Sequence, residues 1–437
     1  MLKFTLILVL LWSPALLMGY DEMGDFFFWR HQLTMLTGMI GLGYMSFAVL
    51  IAARFSWVES RLNGLDKGYA LHKNLGIGAT VALVLHWLCV QSAKWLVQAG
   101  LLARPNGSRP AIEGVNWHHI ASEIGEITFY IFLLFSVISL VQAISYKKFK
   151  FTHKIGGLLV IAGVIHTVLL LDWNSQSILM NIAIAGLSVV GIWCSYLSLT
   201  GKIGASNKST GEVVSAERFK AGTESNSVIR VGIKLDSTIH YKEGQFAYLN
   251  FHDGEAPHPF SILDYDEETQ FIEFGIKDLG DYTHQMVNQL TVGQSVTVEG
   301  GYGYFQIPQQ AMQVWVGAGI GIVPFISRLY WLERKASKED LKYKKIHLFY
   351  CVNSRKEAFF EKEILAILGQ LDCIELEVLD ADKGEFLSAE QIVSITTSKE
   401  FDVSFCGPAA FGDSLRTDLA SVGIGSERFH TEIFKMR

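Results

Sequence analysis

Residues 69–90 read YALHKNLGIGATVALVLHWLCV, and residues 151–170 read FTHKIGGLLVIAGVIHTVLL. The first stretch places His72 and His86 14 residues apart; the second places His153 and His166 13 apart. At 1.5 Å rise per residue, each pair spans roughly 20 Å along a helix axis, most of a bilayer's hydrocarbon thickness. Ionisable side chains are costly inside such a segment, so four of them at two matched depths point to function. Imidazole is an axial ligand of haem iron. Two neighbouring helices of this kind would clamp two stacked haems, each iron taking one imidazole from each helix. Such a stack carries electrons across a membrane. A proton relay or a non-haem metal site is the alternative use of the same residues. One detail departs from ideal geometry. At about 100° per residue, a spacing of 14 returns nearly to the same face, whereas 13 does not. Gly156, Gly157 and Gly163 lie between the second pair of histidines and are expected to permit the distortion this requires.

Charge divides the chain of 437 residues: 22 charged residues fall in the first 200 positions and 58 in the remaining 237. The first half reads as membrane and the second as a soluble unit. Net charge is −6 with no long basic run, which argues against a nucleic-acid partner. The five cysteines are scattered without a CxxC, so neither a disulfide framework nor a zinc or iron–sulfur site is implied.

Six apolar segments, about 4–20, 32–53, 68–92, 119–145, 152–171 and 176–199, approach spanning length. The first reads as an uncleaved helix; a cleaved signal peptide is the alternative. Arg54, Arg61 and Lys67 fill one loop, Lys147, Lys148, Lys150 and Lys154 another, and Lys202 follows the last span. The positive-inside rule makes these cytoplasmic and the 94–118 loop external. His72 and His153 then form an inner pair, and His86 and His166 an outer pair. Residues 201–212 are small and polar and read as a linker.

From about 213 to 308 the pattern alternates with period two, as in VIRVGIKL, GQFAYLNF and FIEFGIK, which predicts an antiparallel barrel. From 309 to 437 apolar strands (QVWVGAG, KIHLFYCV, IELEVLD, DVSFCGP) alternate with helical stretches, which predicts a doubly wound parallel sheet. Gly317, Gly319 and Gly321 follow a strand and open a helix, where backbone amides can approach a pyrophosphate; Pro324 is tolerated in the first turn. After the second strand comes Cys351-Val352-Asn353-Ser354-Arg355. Ser354 and Arg355 suit a 2′-phosphate, so NADPH is expected ahead of NADH.

These motifs together resemble the ferric reductase and NADPH oxidase superfamily: HPFSI (258–262), GIKDLGDYT (275–283), VGAGIGIVPF (316–325) and CGP (406–408), in order, behind the histidine spacings of 14 and 13. The resemblance implies a multi-domain membrane protein. Residues 1–200 would form a six-helix transmembrane domain with two b-type haems, and residues 213–308 an antiparallel β-barrel binding FAD. Residues 309–437 would form an α/β doubly wound nucleotide-binding domain. It further implies that His258, Pro259, Phe260, Ser261 and Ile262 line the flavin, with Ser261 near its N5. Lys277, Gly280, Tyr282 and Thr283 would hold the diphosphate. Cys406, Gly407 and Pro408 would stand beside the nicotinamide, and Phe434, with Glu432 nearby, would cover the flavin. Ser261, Cys406 and Phe434 are thus the expected catalytic residues. Two residues depart from the pattern: Gly301, where the family often has proline, and Val90, where animal oxidases tend to carry a polar residue near the outer haem.

His119, Glu123 and Glu126 share one helical face at the outer end of the fourth span and could attract a ferric species; an ordinary polar helix start is the alternative. The implied activity passes electrons from cytosolic NADPH through FAD and two haems to an acceptor beyond the plasma or inner membrane. The expected acceptor is a ferric or other metal chelate. The alternatives are oxygen, giving superoxide, or a periplasmic redox protein docked on the outer face.

Overall fold

The computed structural model describes the chain except residues 19–23, 104–113, 142–148, 150–151, 172, 174–176, 221–226, 304, 306–309, 336–343, 397–399 and 432–437. It divides into two compact units, residues 1–59 with 67–203 and residues 60–66 with 204–437.

The first unit is helical: α1 (Leu2–Met18), α2 (Phe26–Ala52), the short α3 (Ser56–Leu62), α4 (Leu65–Gln98), α5 (Trp117–Leu140), α6 (Ile155–Leu170) and α7 (Ile178–Leu199). Four of these, α2, α4, α5 and α7, are long and apolar enough to cross a membrane by length and composition; α1 and α6 are apolar but shorter. Large apolar side chains such as Leu134, Ile182 and Val189 point outward, as lipid-facing residues do. Helix α2 packs on α7, α5 on α6 and α6 on α7. Helix α4 stands off from this cluster, with few close backbone approaches to the other helices. Side chains join it instead: Thr80 Oγ1 donates to Ser136 Oγ at 3.0 Å.

The departure from regular helix between His153 and His166 lies at the start of that stretch, at Lys154, and takes in Gly157. A turn at Lys154 separates His153 from α6. The Gly157 N–H bonds the Lys154 carbonyl three residues back, at 3.1 Å, in place of the usual four. Such 3₁₀-type steps add about 20° of rotation each and so help recover the missing phase.

The second unit begins with a closed barrel, β1 (Lys208–Phe219), β2 (Val228–Leu235), β3 (Phe246–Asn250), β4 (His258–Asp266), β5 (Phe271–Lys277) and β6 (Ser295–Tyr302), in the order β1-β2-β5-β4-β3-β6. Alternate residues fill it: Ile229, Val231 and Ile233 from β2, and Ile272, Phe274 and Ile276 from β5. The linker reading of 201–212 is corrected here. Residues 208–212 belong to β1 and pair with β6, from Lys208 opposite Glu299 to Glu212 opposite Ser295. Small polar residues concealed the strand because Ser209, although buried, is satisfied by the Ser237 carbonyl at 2.9 Å.

A parallel sheet follows: β7 (Met312–Ala318), β8 (Lys345–Val352), β9 (Ile374–Asp380), β10 (Asp402–Cys406) and β11 (Phe429–Thr431), in the order β11-β10-β7-β8-β9. Its connecting helices are α9 (Val323–Lys335), α10 (Glu361–Leu368), α11 (Ala389–Ile395) and α12 (Ala409–Ser421); α8 (Asp281–Gln289) follows β5 in the barrel. Phe325, Ile326 and Leu329 of α9 join Ile364 and Ile367 of α10 in one apolar cluster, while Ile392 of α11 joins Leu415 and Leu419 of α12 in another. The chain winds from β7 to β8 and β9, then returns to place β10 on the other side of β7. The strand order therefore reverses at β7, and at such a reversal open α/β sheets commonly bind ligands beside the carboxyl ends of the strands.

Candidate functional site

In the helical unit the four histidines meet in two pairs. The Nε2 atoms of His72 and His153 lie 3.5 Å apart, and the His86 and His166 ring centroids lie 6.2 Å apart. Each imidazole is held by its other nitrogen. Nδ1 of His72 is 2.9 Å from the Ala48 carbonyl, Nδ1 of His86 is 3.0 Å from that of Thr34, and Nδ1 of His166 is 2.8 Å from that of Ala121. A carbonyl only accepts, so these three rings carry their proton on Nδ1 and keep the Nε2 lone pair free to ligate. Nδ1 of His153 meets Ser139 Oγ at 3.3 Å, and Phe135 and Phe149 stack on its ring.

This donor set fits an iron already held in a macrocycle, which needs two axial imidazoles and nothing else from the protein. Among the described residues no three His, Cys, Asp or Glu side chains gather as a metal site. The partners that orient three of the four rings are backbone carbonyls, which sequence reading could not have identified.

In the second unit, His258–Ser261 are all partly exposed, whereas the next two residues of β4, Ile262 and Leu263, are fully buried. These four pair only with β3, since β5 joins β4 from Ile262 onward. Pro259, which has no N–H, therefore sits on an unpaired edge. The His258 ring stacks on Tyr282 at 4.2 Å, and Tyr282 donates to Asp253 Oδ2 at 3.0 Å. Burial and the Asp253 carboxylate push the Tyr282 phenol well above its ordinary range, so it stays a donor. Thr283 Oγ1 accepts from the Leu279 and Gly280 amides at 2.9 and 3.0 Å, shaping the start of α8. A Cβ at Gly280 would meet nothing within 4 Å. The edge, the aromatic stack and the open glycine together form a surface that suits a flat ring system with a diphosphate tail.

The two glycine-bearing segments expected to meet a nucleotide lie side by side at the carboxyl ends of β7 and β10. Gly317 is paired with Cys406 across neighbouring parallel strands. Gly319 has φ +56°, which favours glycine, and a Cβ at Gly321 would fall 2.1 Å from the Cys406 carbonyl oxygen. A Cβ at Gly407 would lie 2.6 Å from that of Ala318. Backbone thus packs on backbone at Gly317–Gly321 and Cys406–Pro408, and Pro324 occupies the second position of α9.

Other site residues have partners the sequence did not announce. Lys277 Nζ donates to Glu357 Oε2 at 2.9 Å, and a Cβ on Gly319 would lie 3.9 Å from that nitrogen. Lys277 therefore stands beside the Gly319 loop as well as at the end of β5, within the 275–283 motif. Glu357 went unnoticed because RKE reads as a solvated run; the adjacent Ala-Phe-Phe was the available hint of burial. Arg355, half-exposed, forms a two-point ion pair with Glu361, with Nε 3.1 Å from Oε2, while Ser354 precedes it in extended backbone. His119 and Glu123 are exposed and 3.9 Å apart, and Glu126 accepts from Tyr130 at 3.3 Å, as on an ordinary polar helix start. Glu432 and Phe434 lie outside the described residues.

Comparison with known proteins agrees with this layout. Residues 37–164 match the family described as the ferric reductase like transmembrane component, and residues 213–316 match the FAD-binding domain family. A flavohemoprotein of Vibrio cholerae is 28% identical over 167 residues, covering 37% of this chain and 40% of that protein. NADPH oxidase 1 of Rattus norvegicus is 27% identical over 171 residues, covering 37% of this chain and 28% of its own length. This chain thus spans less than half the length of either relative. Among solved structures, ferredoxin-NADP+ reductase from Plasmodium falciparum is similar at a TM-score of 0.44 and 16% identity, covering 52% of this chain and 97% of that one. The expected resemblance, a ferric reductase-like transmembrane component followed by an FAD-binding domain, is borne out.

Proposed function

We propose that this chain is a transmembrane NAD(P)H oxidoreductase that delivers electrons to an acceptor outside the cytoplasm. Six apolar helices in residues 1–200 would form the haem domain, the barrel from residue 208 to about 308 the flavin domain, and residues 309–437 a doubly wound nucleotide domain. The observation that carries the reading is the set of four imidazoles, paired two by two, three of them with Nδ1 held by a backbone carbonyl and Nε2 left to ligate.

When bound, the flavin takes up a hydride and releases electrons singly, and each haem iron passes one electron at a time. The chain's own residues do the rest. His72 with His153 and His86 with His166 hold two b-type haems as the inner and outer pairs. His258 to Ile262 line the isoalloxazine on the open edge of β4, with Ser261 at the reacting face. Gly280, Tyr282 and Thr283 cradle the flavin diphosphate. Gly317, Gly319 and Gly321 bring amides to the dinucleotide at the end of β7, and Cys406, Gly407 and Pro408 shape the nicotinamide pocket. Lys277 supplies a cation beside both loops. Ser354 and Arg355 read the ribose, which favours NADPH once Arg355 leaves Glu361. Phe434 covers the flavin between turnovers. The lysine- and arginine-rich loops fix the flavin and nucleotide domains on the cytoplasmic side of the plasma or inner membrane.

The favoured acceptor is a ferric chelate, since Val90 offers no polar group for oxygen beside the outer pair. Steady-state assays of purified protein with NADPH and NADH, against ferric chelates and oxygen, test this. Superoxide at rates matching nucleotide oxidation would replace the reductase reading with an oxidase one. Electron flow only after a periplasmic protein is added would make the chain a donor subunit.

A further inference from the structure

The outer histidines are seated in the same way on two different helices. His86 meets the carbonyl of Thr34 on α2, and four residues further along that helix stands Gly38. His166 meets the carbonyl of Ala121 on α5, and four residues further stands Gly125. A Cβ at Gly38 would lie 3.1 Å from the His86 ring; at Gly125 it would lie 2.1 Å from His166 Nδ1. The geometry follows from the helix. A carbonyl points along the axis toward the next turn, so a ring reaching it from the side must cross the surface of the residue four places on. At Gly38 and Gly125 no side chain covers that surface, whereas His72 reaches the Ala48 carbonyl near the end of α2 with Ala52 four places on. The other inner ring, His153, meets a serine hydroxyl.

We infer that Gly38 and Gly125 are positioning residues for the outer haem, each a seat that lets a ligating imidazole reach a helix carbonyl. Glycine in a helix interior is ordinarily less favourable than alanine. A glycine kept there against that cost has to be accounted for, and at both positions the neighbour a Cβ would meet is the histidine ring. The seats fix the ring tautomer and its orientation, and with them the basicity of the ligand.

This inference rests on the reading of His86 and His166 as haem ligands, and the experiment separates the two. Haem and FAD are counted in the purified full-length protein, by pyridine haemochrome and by flavin fluorescence, and low-spin signals are recorded by electron paramagnetic resonance. Wild type should carry two haems per FAD. Gly125→Ala should carry one haem per FAD with one low-spin signal lost. Gly38→Ala, with the looser contact, should lose less. Gly163→Ala, whose added carbon meets nothing within 4 Å, should keep both. Should Gly125→Ala not accumulate, Gly125→Ala/His166→Gly should, because removing the ring removes the clash. Two unaltered signals in Gly125→Ala, or failure of the double variant as well, would overturn the seat while leaving the ligand reading intact. Wild type without haem would overturn both.

Discussion

Lys277 of the barrel donates to Glu357, which follows β8 of the parallel sheet, across 2.9 Å, with the two side chains only 12% and 3% exposed. This pair is one of several across that seam. Arg230 of β2 meets Glu363 of α10 at 2.9 Å while also holding Glu273 of β5 at 2.6 Å. Arg334 pairs with Asp264, and Arg328 with Glu243. Removing one member of a buried pair strands the other charge, which costs about 3–5 kcal/mol, whereas replacing both with apolar groups is often neutral. Lys277→Met should therefore lower the thermal midpoint of flavin release markedly, and Lys277→Met/Glu357→Leu should restore most of it. Equal melting of the single and double variants would show that the pair does not join the two halves.

The histidine pairs give the second prediction. His86→Leu should leave a protein with full FAD and only the His72–His153 haem, visible as half the haem per flavin. Two undiminished low-spin signals in that variant would dismiss the pairing.

Nucleotide choice gives the third. Arg355→Ala should raise KM for NADPH about ten- to a hundred-fold, the value of one charge-assisted bond of roughly 1.5–3 kcal/mol, with little change for NADH. Glu361→Gln should act in the opposite direction by loosening the guanidinium, lowering KM for NADPH alone. Parallel responses to both nucleotides would remove Arg355 from phosphate recognition.

A fourth prediction contrasts two glycines. At Gly321 the added carbon of alanine strikes the Cys406 carbonyl, so Gly321→Ala should weaken both nucleotides together while flavin content holds. At Gly280 the chain has room and ordinary extended backbone, so Gly280→Ala should leave the flavin-free protein as stable as before. If a diphosphate lies against that bare backbone, the same substitution should speed FAD release severalfold, measured by fluorescence on dilution. Unchanged release would place the diphosphate elsewhere.

What the sequence disclosed and what it hid divide along physical lines. Histidines in apolar helices and glycines between strand and helix stand out because their residue types are costly or conformationally special. The seats at Thr34 and Ala121 left no trace, since every residue has a carbonyl. Strand β1 was half hidden because Ser209 and Thr210 are polar whether they line a barrel or a linker; only their partners tell the two apart. Arg355 was legible as a cation but not as one already engaged by Glu361, six positions on, because the pairing depends on the turn between β8 and α10.

The turn at Lys154 gives the two ligand-bearing arms different mechanics. His72 and His86 ride on one unbroken helix and move together as a rod. His153 and His166 are separated by the turn at Lys154, so dihedral changes there would re-aim the first without drawing the second off its carbonyl. On the proposed haem reading the two sites would be separable in assembly: the outer one would fill before the inner ligand takes its place, and a chain carrying a single haem would be a stage on the route rather than a misfolded product.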